Sequence, residues 1–281
     1  MKEYLSLLED ILENGKERGD RTGTGTRAVF GRQMRFDLGK GFPAVTTKRL
    51  AFRTMLGELI WFLRGSQDVR ELRKLGCYIW DGNVEAGYWK PHAKFEGDAG
   101  RIYGVQWRKW RGEGGKEVDQ IKKIVAWIKK NPTTRRMLIT AWNPAELDAS
   151  YDPDDPKVAL CPCHVLFQFF IEDNKLSLQM YQRSADVFLG VPFNIASYST
   201  LLHIIAAITK LSVGDFVHVL GDTHIYSNHI DQVKEQLQRE PYELPQIKLN
   251  PAFYQMNGIE DLDIYLQKFS FGNGGSIRTE L

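Results

Sequence analysis

The chain is poor in cysteine: three in 281 residues, an odd number, with Cys161 and Cys163 one residue apart. That argues against a disulfide framework and for a reducing, cytoplasmic setting. A surplus of one charge is also missing. Lys and Arg number 37 against 35 Asp and Glu, for a formal net charge of +2. Such a balance supports no bulk nucleic-acid coat, so any anion site has to be local. No apolar stretch reads as a membrane span of roughly 18 residues. The start, Met1-Lys2-Glu3-Tyr4-Leu5, has no basic region followed by an apolar core, so no secretory signal is expected. No fixed-period repeat is visible, which removes solenoids and propellers. No Ser/Gly-rich linker divides the chain, and residues 1–281 are read as a single domain. What is present is ordinary for a globular protein: 43% hydrophobic and 26% charged residues. A disordered chain would carry fewer apolar residues.

Apolar residues at Tyr4-Leu5, Leu7-Leu8 and Ile11-Leu12 recur at three and four, which predicts an amphipathic helix ending near Gly15. Asp20-Arg21-Thr22-Gly23-Thr24-Gly25-Thr26 reads as a polar, turn-rich loop. Alternation around Ala28-Val29-Phe30 and Met34-Arg35-Phe36 predicts strands. Residues from about Thr54 to Arg64 predict a strongly apolar helix whose one acid is Glu58, and Asn83 to Arg101 is loop-like. A helix is expected near Asp119 to Lys129, with strands over Met137–Trp142, Val165–Ile171 and Leu176–Tyr181. Asn194 to Lys210 predicts a long buried helix, and Asp231 to Arg239 a last, polar one. Helices and strands alternate without regular βαβ order, so the expected fold class is α+β.

Five stretches could carry chemistry. Leu160-Cys161-Pro162-Cys163-His164 is the most informative. A thiol with a pKa near 8.5 is only a few per cent thiolate at neutral pH, yet it is already a good nucleophile. A nearby cation raises the thiolate fraction. The plain alternative is a small buried residue at a strand start. A zinc site of the nucleotide-deaminase type needs His-x-Glu and Pro-Cys-x-x-Cys. Here Leu166 stands where the second Cys belongs and no His-x-Glu occurs, so metal is disfavoured. In the stretch Tyr181 to Asn194, Arg183 and Ser184 can both donate to a phosphate. The Asn194 amide offers a donor and an acceptor together, which suits a pyrimidine edge. The alternative is a solvated turn, against which a buried Arg among apolar neighbours needs an anion partner. Arg135 and Arg136 enter an apolar strand and would point to opposite faces, or are a solvated pair. His224 and Tyr226 share a face if extended and could reach one hydroxyl, or are structural. The aromatics of Ile79-Trp80-Asp81 and Tyr103 to Arg108 are core, or a stacking platform for a flat ring.

Together these stretches resemble the thymidylate synthase family of the cysteine-dependent, folate-using kind. The shared motifs run in family order along most of the chain. They are Asp20-Arg21-Thr22-Gly23-Thr24-Gly25, Thr46-Thr47-Lys48-Arg49, Glu58-Leu59-Ile60-Trp61-Phe62, Ile79-Trp80-Asp81, Tyr103-Gly104, Arg135-Arg136, Pro162-Cys163-His164, Gln182-Arg183-Ser184, Phe193-Asn194-Ile195-Ala196-Ser197-Tyr198 and Gly221-Asp222-Thr223-His224-Ile225-Tyr226. The resemblance implies a large mixed β-sheet with flanking helices, packed sheet to sheet in a homodimer. It implies one-carbon transfer from 5,10-methylenetetrahydrofolate to C5 of deoxyuridine monophosphate (dUMP), with reduction to thymidylate and dihydrofolate. Cys163 would add to C6, making C5 an enolate-type nucleophile. Arg183 would hold phosphate and favour the thiolate. Glu58 would be the acid/base, its pKa raised by apolar neighbours. Tyr103 would stand beside the proton lost from C5, and Asp186 joins the catalytic set.

For binding, the resemblance implies that Arg21, Arg183 and Ser184 hold the phosphate, with Arg135 and Arg136 reaching across from the partner subunit. Gln182 joins the nucleotide set. His224 and Tyr226 would bind the ribose 3′-hydroxyl, and Asn194 would read uracil, since relatives acting on deoxycytidylate carry an acid there. Ile79, Trp80, Leu160, Asp186, Gly190 and Phe193 match the folate-contacting set. No metal, membrane or nucleic acid is implied, and the setting is the cytoplasm, the host's if the gene is viral. The tail departs from the family. Members usually end in Tyr-x-Pro-x-Pro, then Ile-Lys and an apolar terminus, whereas Phe269 to Leu281 has no proline and is polar and glycine-rich. Ala99 and Arg101 also stand where Leu and Pro are usual. A changed lid bears on the outcome, because closed sites exclude water. Water reaching the exocyclic methylene intermediate before hydride would give 5-hydroxymethyl-dUMP, the reaction of the related hydroxymethylases; retained Trp80 favours the synthase. A non-catalytic binder on this fold would tolerate loss of Cys163 or Glu58, and both are present. Cys77 and Cys161 match no family role.

Overall fold

Helix α1 (Lys2–Asn14) buries Tyr4, Leu7, Leu8 and Ile11 along one stripe and stops at Gly15, as its spacing predicts. A computed structural model describes residues 1–20, 23–147, 156–271 and 278–280. After β1 (Lys16–Arg18) comes β2 (Thr26–Asp37), one strand where the alternation suggested separate pieces. Gly31, at φ +71°, sits mid-strand without shifting its pairing; a side chain there would resist that conformation. Helix α2 (Phe52–Leu63) is buried on most sides, and α3 (Val69–Lys74) starts at Asp68, whose carboxylate accepts from the Arg70 N–H. The loop-like stretch holds a short helix, α4 (Asp81–Val84), and ends at α5 (Tyr103–Arg108). Next come a small ribbon of β3 (Trp110–Arg111) with β4 (Glu117–Val118), then α6 (Gln120–Lys130), capped by Asp119.

Strand β5 (Leu138–Thr140) is shorter than predicted, and α7 (Pro144–Leu147) follows it. Arg135 and Arg136 therefore lie in an exposed turn before β5 rather than within a strand. Strands β6 (His164–Glu172) and β7 (Lys175–Asp186) form a hairpin. Its two turn residues, Asp173 and Asn174, both have positive φ (+49° and +59°), the backbone of a twist-matched type I′ turn. Strand β7 runs through Gln182-Arg183-Ser184, so these residues are not a solvated turn. Helix α8 (Gly190–Thr209) and strand β8 (Ser212–Tyr226) follow. Then come α9 (Ile230–Leu237), β9 (Gln246–Lys248), α10 (Ala252–Gln255), α11 (Ile259–Lys268) and β10 (Arg278–Glu280). The sequence reading ended its helices at Arg239 and so missed α11, which buries Ile259, Leu262 and Leu266. Strand β10 pairs antiparallel with β9.

The main sheet has six strands in the order β1-β2-β8-β7-β6-β5. All neighbours are antiparallel except β7 and β8, which are parallel. A parallel pair needs a crossover, and α8 supplies it. This one βαβ unit in an otherwise antiparallel sheet makes the fold α+β, as expected. Helix α8 has twenty residues and no charge, with mean hydropathy 1.4, long and apolar enough to cross a membrane by composition. The sequence predicts a long buried helix here, over Asn194 to Lys210, but no apolar stretch of membrane-spanning length. Here 83% of that segment is buried inside the protein, as the core helix against β7 and β8. The register aligns Leu138, Gln168, Gln179, Val217 and Arg35 in one row across five strands. In this row Leu138 is 42% exposed, and Phe170, two residues beyond Gln168, is 60% exposed. Among the described residues, nothing covers these two side chains on this sheet face.

Candidate active site

The β6–β7 hairpin brings Cys163 and Arg183 together. The Arg183 N–H donates to the Cys163 carbonyl at 2.9 Å. Its guanidinium Nε donates to Pro162 O (2.9 Å) and Nη2 to Cys161 O (3.1 Å). The same group sits 5.3 Å from the Trp142 ring centroid. Strand β8 can lie this close only because residue 221 is glycine: a Cβ there would stand 2.8 Å from Arg183 O and 2.9 Å from Tyr181 Oη. Register slips between His164 and Leu166, a local irregularity of the kind that re-aims side chains beside active sites. The three cysteines are free thiols. Burial pushes the Cys163 thiol up, against the opposing pull of the Arg183 cation and of Tyr103. Arg183 favours the thiolate, but burial outweighs it.

Tyr103 arrives from α5. Its hydroxyl accepts the Cys163 backbone N–H at 2.7 Å. Its own backbone is strained, at φ +28°, a value bulky residues adopt only where the surroundings dictate it. One such constraint is Gly104, where a Cβ would collide with Phe62 O at 2.2 Å. Glu58, on α2, accepts a hydrogen bond from Trp80 Nε1 at 2.7 Å. Burial raises its pKa from 4.5 to about 7, with Trp80 opposing. At neutral pH such a carboxyl can act in either direction. Trp80 also packs on Trp61 (5.8 Å) and edge-on to Tyr103 (6.0 Å), so it is core and site lining at once.

Two buried histidines lie beneath. Burial pushes His164 down to about 4 and His218 to about 3, so both are neutral. His164 packs on Tyr103 and Tyr198 with ring centroids 5.0 and 5.3 Å away. His218 Nε2 meets Gln182 Oε1 at 2.8 Å, and Gln182 Nε2 donates to Ser184 O at 3.0 Å. On β8, His224 and Tyr226 meet edge-on at 5.4 Å, on the shared face predicted for them. Asp222 holds His224 Nδ1 at 2.9 Å through one oxygen and Arg18 Nη1 at 2.8 Å through the other. Asp186 accepts from the Phe188 and Leu189 N–H groups at 3.1 and 3.0 Å, shaping the turn into α8. Lys48 donates to Phe188 O and lies 3.9 Å over the Phe188 ring.

One cavity of about 610 Å³ collects most of the predicted residues. Glu58, Tyr103, Cys163, Arg183 and Asp186 line it, with Gln182, Ser184, Asn194, His224 and Tyr226, and with Trp80, Leu160 and Gly190. Four predicted residues are not brought in. Ile79 is 48% exposed outside the lining, and Phe193 packs against the core. Arg135 and Arg136 are exposed and do not line it. Arg21 lies outside the described residues, as do tail residues 272–277 and 281. Sequence reasoning missed Arg18, Asn83, His164 and Asp222 as lining. Asp222 carried a signal, since it shares a strand face with His224 and Tyr226. For Arg18, reached through the β1–β2 pairing, there was none.

Among the described residues, no group of three or more His, Cys, Asp or Glu side chains is placed to hold a metal ion. The cavity instead offers a thiol beside a cation, a carboxyl that titrates near neutrality and an amide for a flat polar ring. This combination suits nucleophilic addition to a heterocycle followed by proton transfers. The family model for thymidylate synthase matches residues 2–275, and the chain belongs to that family of folate-dependent enzymes, which transfer one-carbon units to dUMP.

Proposed function

We propose that this protein is a thymidylate synthase, transferring the methylene of 5,10-methylenetetrahydrofolate to C5 of dUMP and reducing it to give dTMP and dihydrofolate. The observation that carries the reading is the placement of Cys163, held between Arg183 and the Tyr103 hydroxyl, in one cavity with Glu58. In this reading the Cys163 sulfur bonds to C6, and C5 attacks the folate methylene. The C5 proton leaves beside Tyr103, and hydride from tetrahydrofolate completes the methyl group. Glu58, neutral or ionised near pH 7, serves the proton transfers around uracil O4 and the folate. Arg183 and Ser184 take the phosphate, with Arg21; Gln182 supports them; His224 and Tyr226 take the 3′-hydroxyl; Asn194 reads uracil. Trp80, Leu160, Gly190 and Asp186 take the folate, joined by Ile79 and Phe193, which lie outside the cavity lining of the single chain.

The active form in this proposal is a cytoplasmic homodimer built on the sheet face of Leu138 and Phe170. Both side chains lie exposed there, and Arg135 and Arg136, remote from their own cavity, would reach the partner's phosphate site. The tail composition favours one second reading, dUMP hydroxymethylase, in which water takes the place of hydride. A single assay separates the two. The protein is mixed with dUMP and methylenetetrahydrofolate, nucleotides are resolved by chromatography with mass detection, and dihydrofolate is followed by absorbance. Thymidylate with matching dihydrofolate is expected. Hydroxymethyl-dUMP without dihydrofolate would establish the hydroxymethylase, and an unchanged nucleotide would refute both.

A further inference from the structure

Arg101, which stands where the family usually has proline, is not a surface residue. Its side chain is 11% exposed and pairs with Glu146, 18% exposed. Arg101 Nε donates to both Glu146 oxygens, at 2.8 and 2.9 Å, and Nη2 donates to Lys109 O at the far end of α5. Fully buried Gln106 closes the circuit: its Nε2 donates to Glu146 Oε2 at 2.9 Å and to the Arg101 carbonyl at 2.6 Å. Asn143 Nδ2 adds a longer contact to Glu146 Oε2, at 3.4 Å. Both ends of α5 are thereby tied to α7. An ion pair this far withdrawn from water is held at some desolvation cost, so its placement invites a functional reason. Two residues after Arg101 comes Tyr103, with its strained φ and its hydroxyl on the Cys163 N–H. Strained backbone persists only where neighbours over-determine it. Gly104 against Phe62 hems in the backbone just after Tyr103; the Arg101–Glu146–Gln106 circuit ties the chain two residues before it to the chain three residues after it.

We infer that the Arg101–Glu146 pair, acting through Gln106, is a positioning device for the Tyr103 hydroxyl and so for removal of the C5 proton. This rests on the proposed reaction, in which Tyr103 stands beside that proton. In that step the C5–H bond breaks, its electron pair stays in the ring as the enolate, and the proton leaves to water at the Tyr103 hydroxyl. Arg101 and Glu146 touch no reacting atom in this scheme.

The test uses two substrates on the intact protein and on the variants Arg101→Ala and Glu146→Gln, the second nearly isosteric. One is dUMP tritiated at C5, whose tritium release reports proton removal. The other is 5-fluoro-dUMP with methylenetetrahydrofolate, which labels Cys163 without any C5 proton to lose. The variants should release tritium at least about tenfold more slowly, with KM for dUMP within about twofold and Cys163 labelling retained. The slowing should be smaller in the variant Tyr103→Phe background, where there is no hydroxyl left to place. Equal loss of labelling and tritium release would mean a merely structural pair and overturn the inference, as would wild-type tritium release. If the intact protein neither labels nor releases tritium, the proposed reaction itself has failed, and the inference with it.

Discussion

Replacing Glu58 by Gln should stabilise the protein while disabling it, and the size of the effect depends on pH in a defined direction. Burial raises the Glu58 pKa from 4.5 to about 7, so the folded chain keeps a proton that the unfolded chain gives up between those values. Stability therefore falls as pH rises through that window and levels off once the folded carboxyl has also ionised. A shift of that size corresponds to about 3 kcal/mol, an upper figure because part of the side chain faces the cavity and its water. Gln keeps the acceptor for Trp80 Nε1 and has no charge to bury. Below pH 4.5 the two proteins should unfold in urea at similar midpoints. At pH 8 the variant should be more stable by about 2–3 kcal/mol, with turnover nearly abolished. A stability difference that does not change between pH 4.5 and 8 would refute the idea that this carboxyl is held at a raised pKa.

Cys163→Ala should abolish covalent labelling by 5-fluoro-dUMP with folate, while Cys161→Ala should leave turnover intact; loss of turnover in the second would mean the nucleophile is misassigned. Arg135→Ala/Arg136→Ala and Cys163→Ala proteins should each be inactive, yet unfolding and refolding them together should restore activity at about a quarter of the sites. No recovery would argue against a site shared between subunits. Asn194→Asp should shift preference from dUMP towards dCMP, read as the ratio of kcat/KM values, because a protonated carboxyl suits the cytosine edge; an unchanged ratio would remove Asn194 from the base-reading role.

Elements with strong periodicity were legible without coordinates. Helix α1, α2, α6 and α8 lie within a few residues of where spacing and caps put them. The Cys163, Arg183 and His224 stretches converge as expected. What failed did so for physical reasons. Strand β7 continues through Gln182-Arg183-Ser184 because its polar side chains face a cavity, which local alternation cannot distinguish from solvent. Arg135 and Arg136 have no counter-charge nearby in sequence that could say whether they end in a strand or a turn. Helix α11 carries five charged or amide side chains over ten residues, and its buried stripe of Ile259, Leu262 and Leu266 is easily passed over. Arg18 reaches Asp222 across 204 positions of sequence, and the Arg101–Glu146 pair spans 45. Contacts of that range leave no periodic trace.

The hairpin that joins Cys163 to Arg183 also bears on the order in which the reactive centre is built during folding. Its two strands meet through a two-residue turn, so little chain entropy is lost in closing it. Glu58 and Tyr103, by contrast, come from far upstream and depend on α2 docking onto α8 and α5 docking onto α2. A refolding chain should therefore acquire the sulfur and its neighbouring cation together, as one local unit, before it acquires the groups that handle protons. Pulsed hydrogen exchange would register this as early protection of the Arg183 amide, which is bonded across the hairpin to Cys163, and later protection of the Cys163 amide, which waits for the Tyr103 hydroxyl. The asymmetry would make two amides in one short segment independent clocks for the two halves of the site.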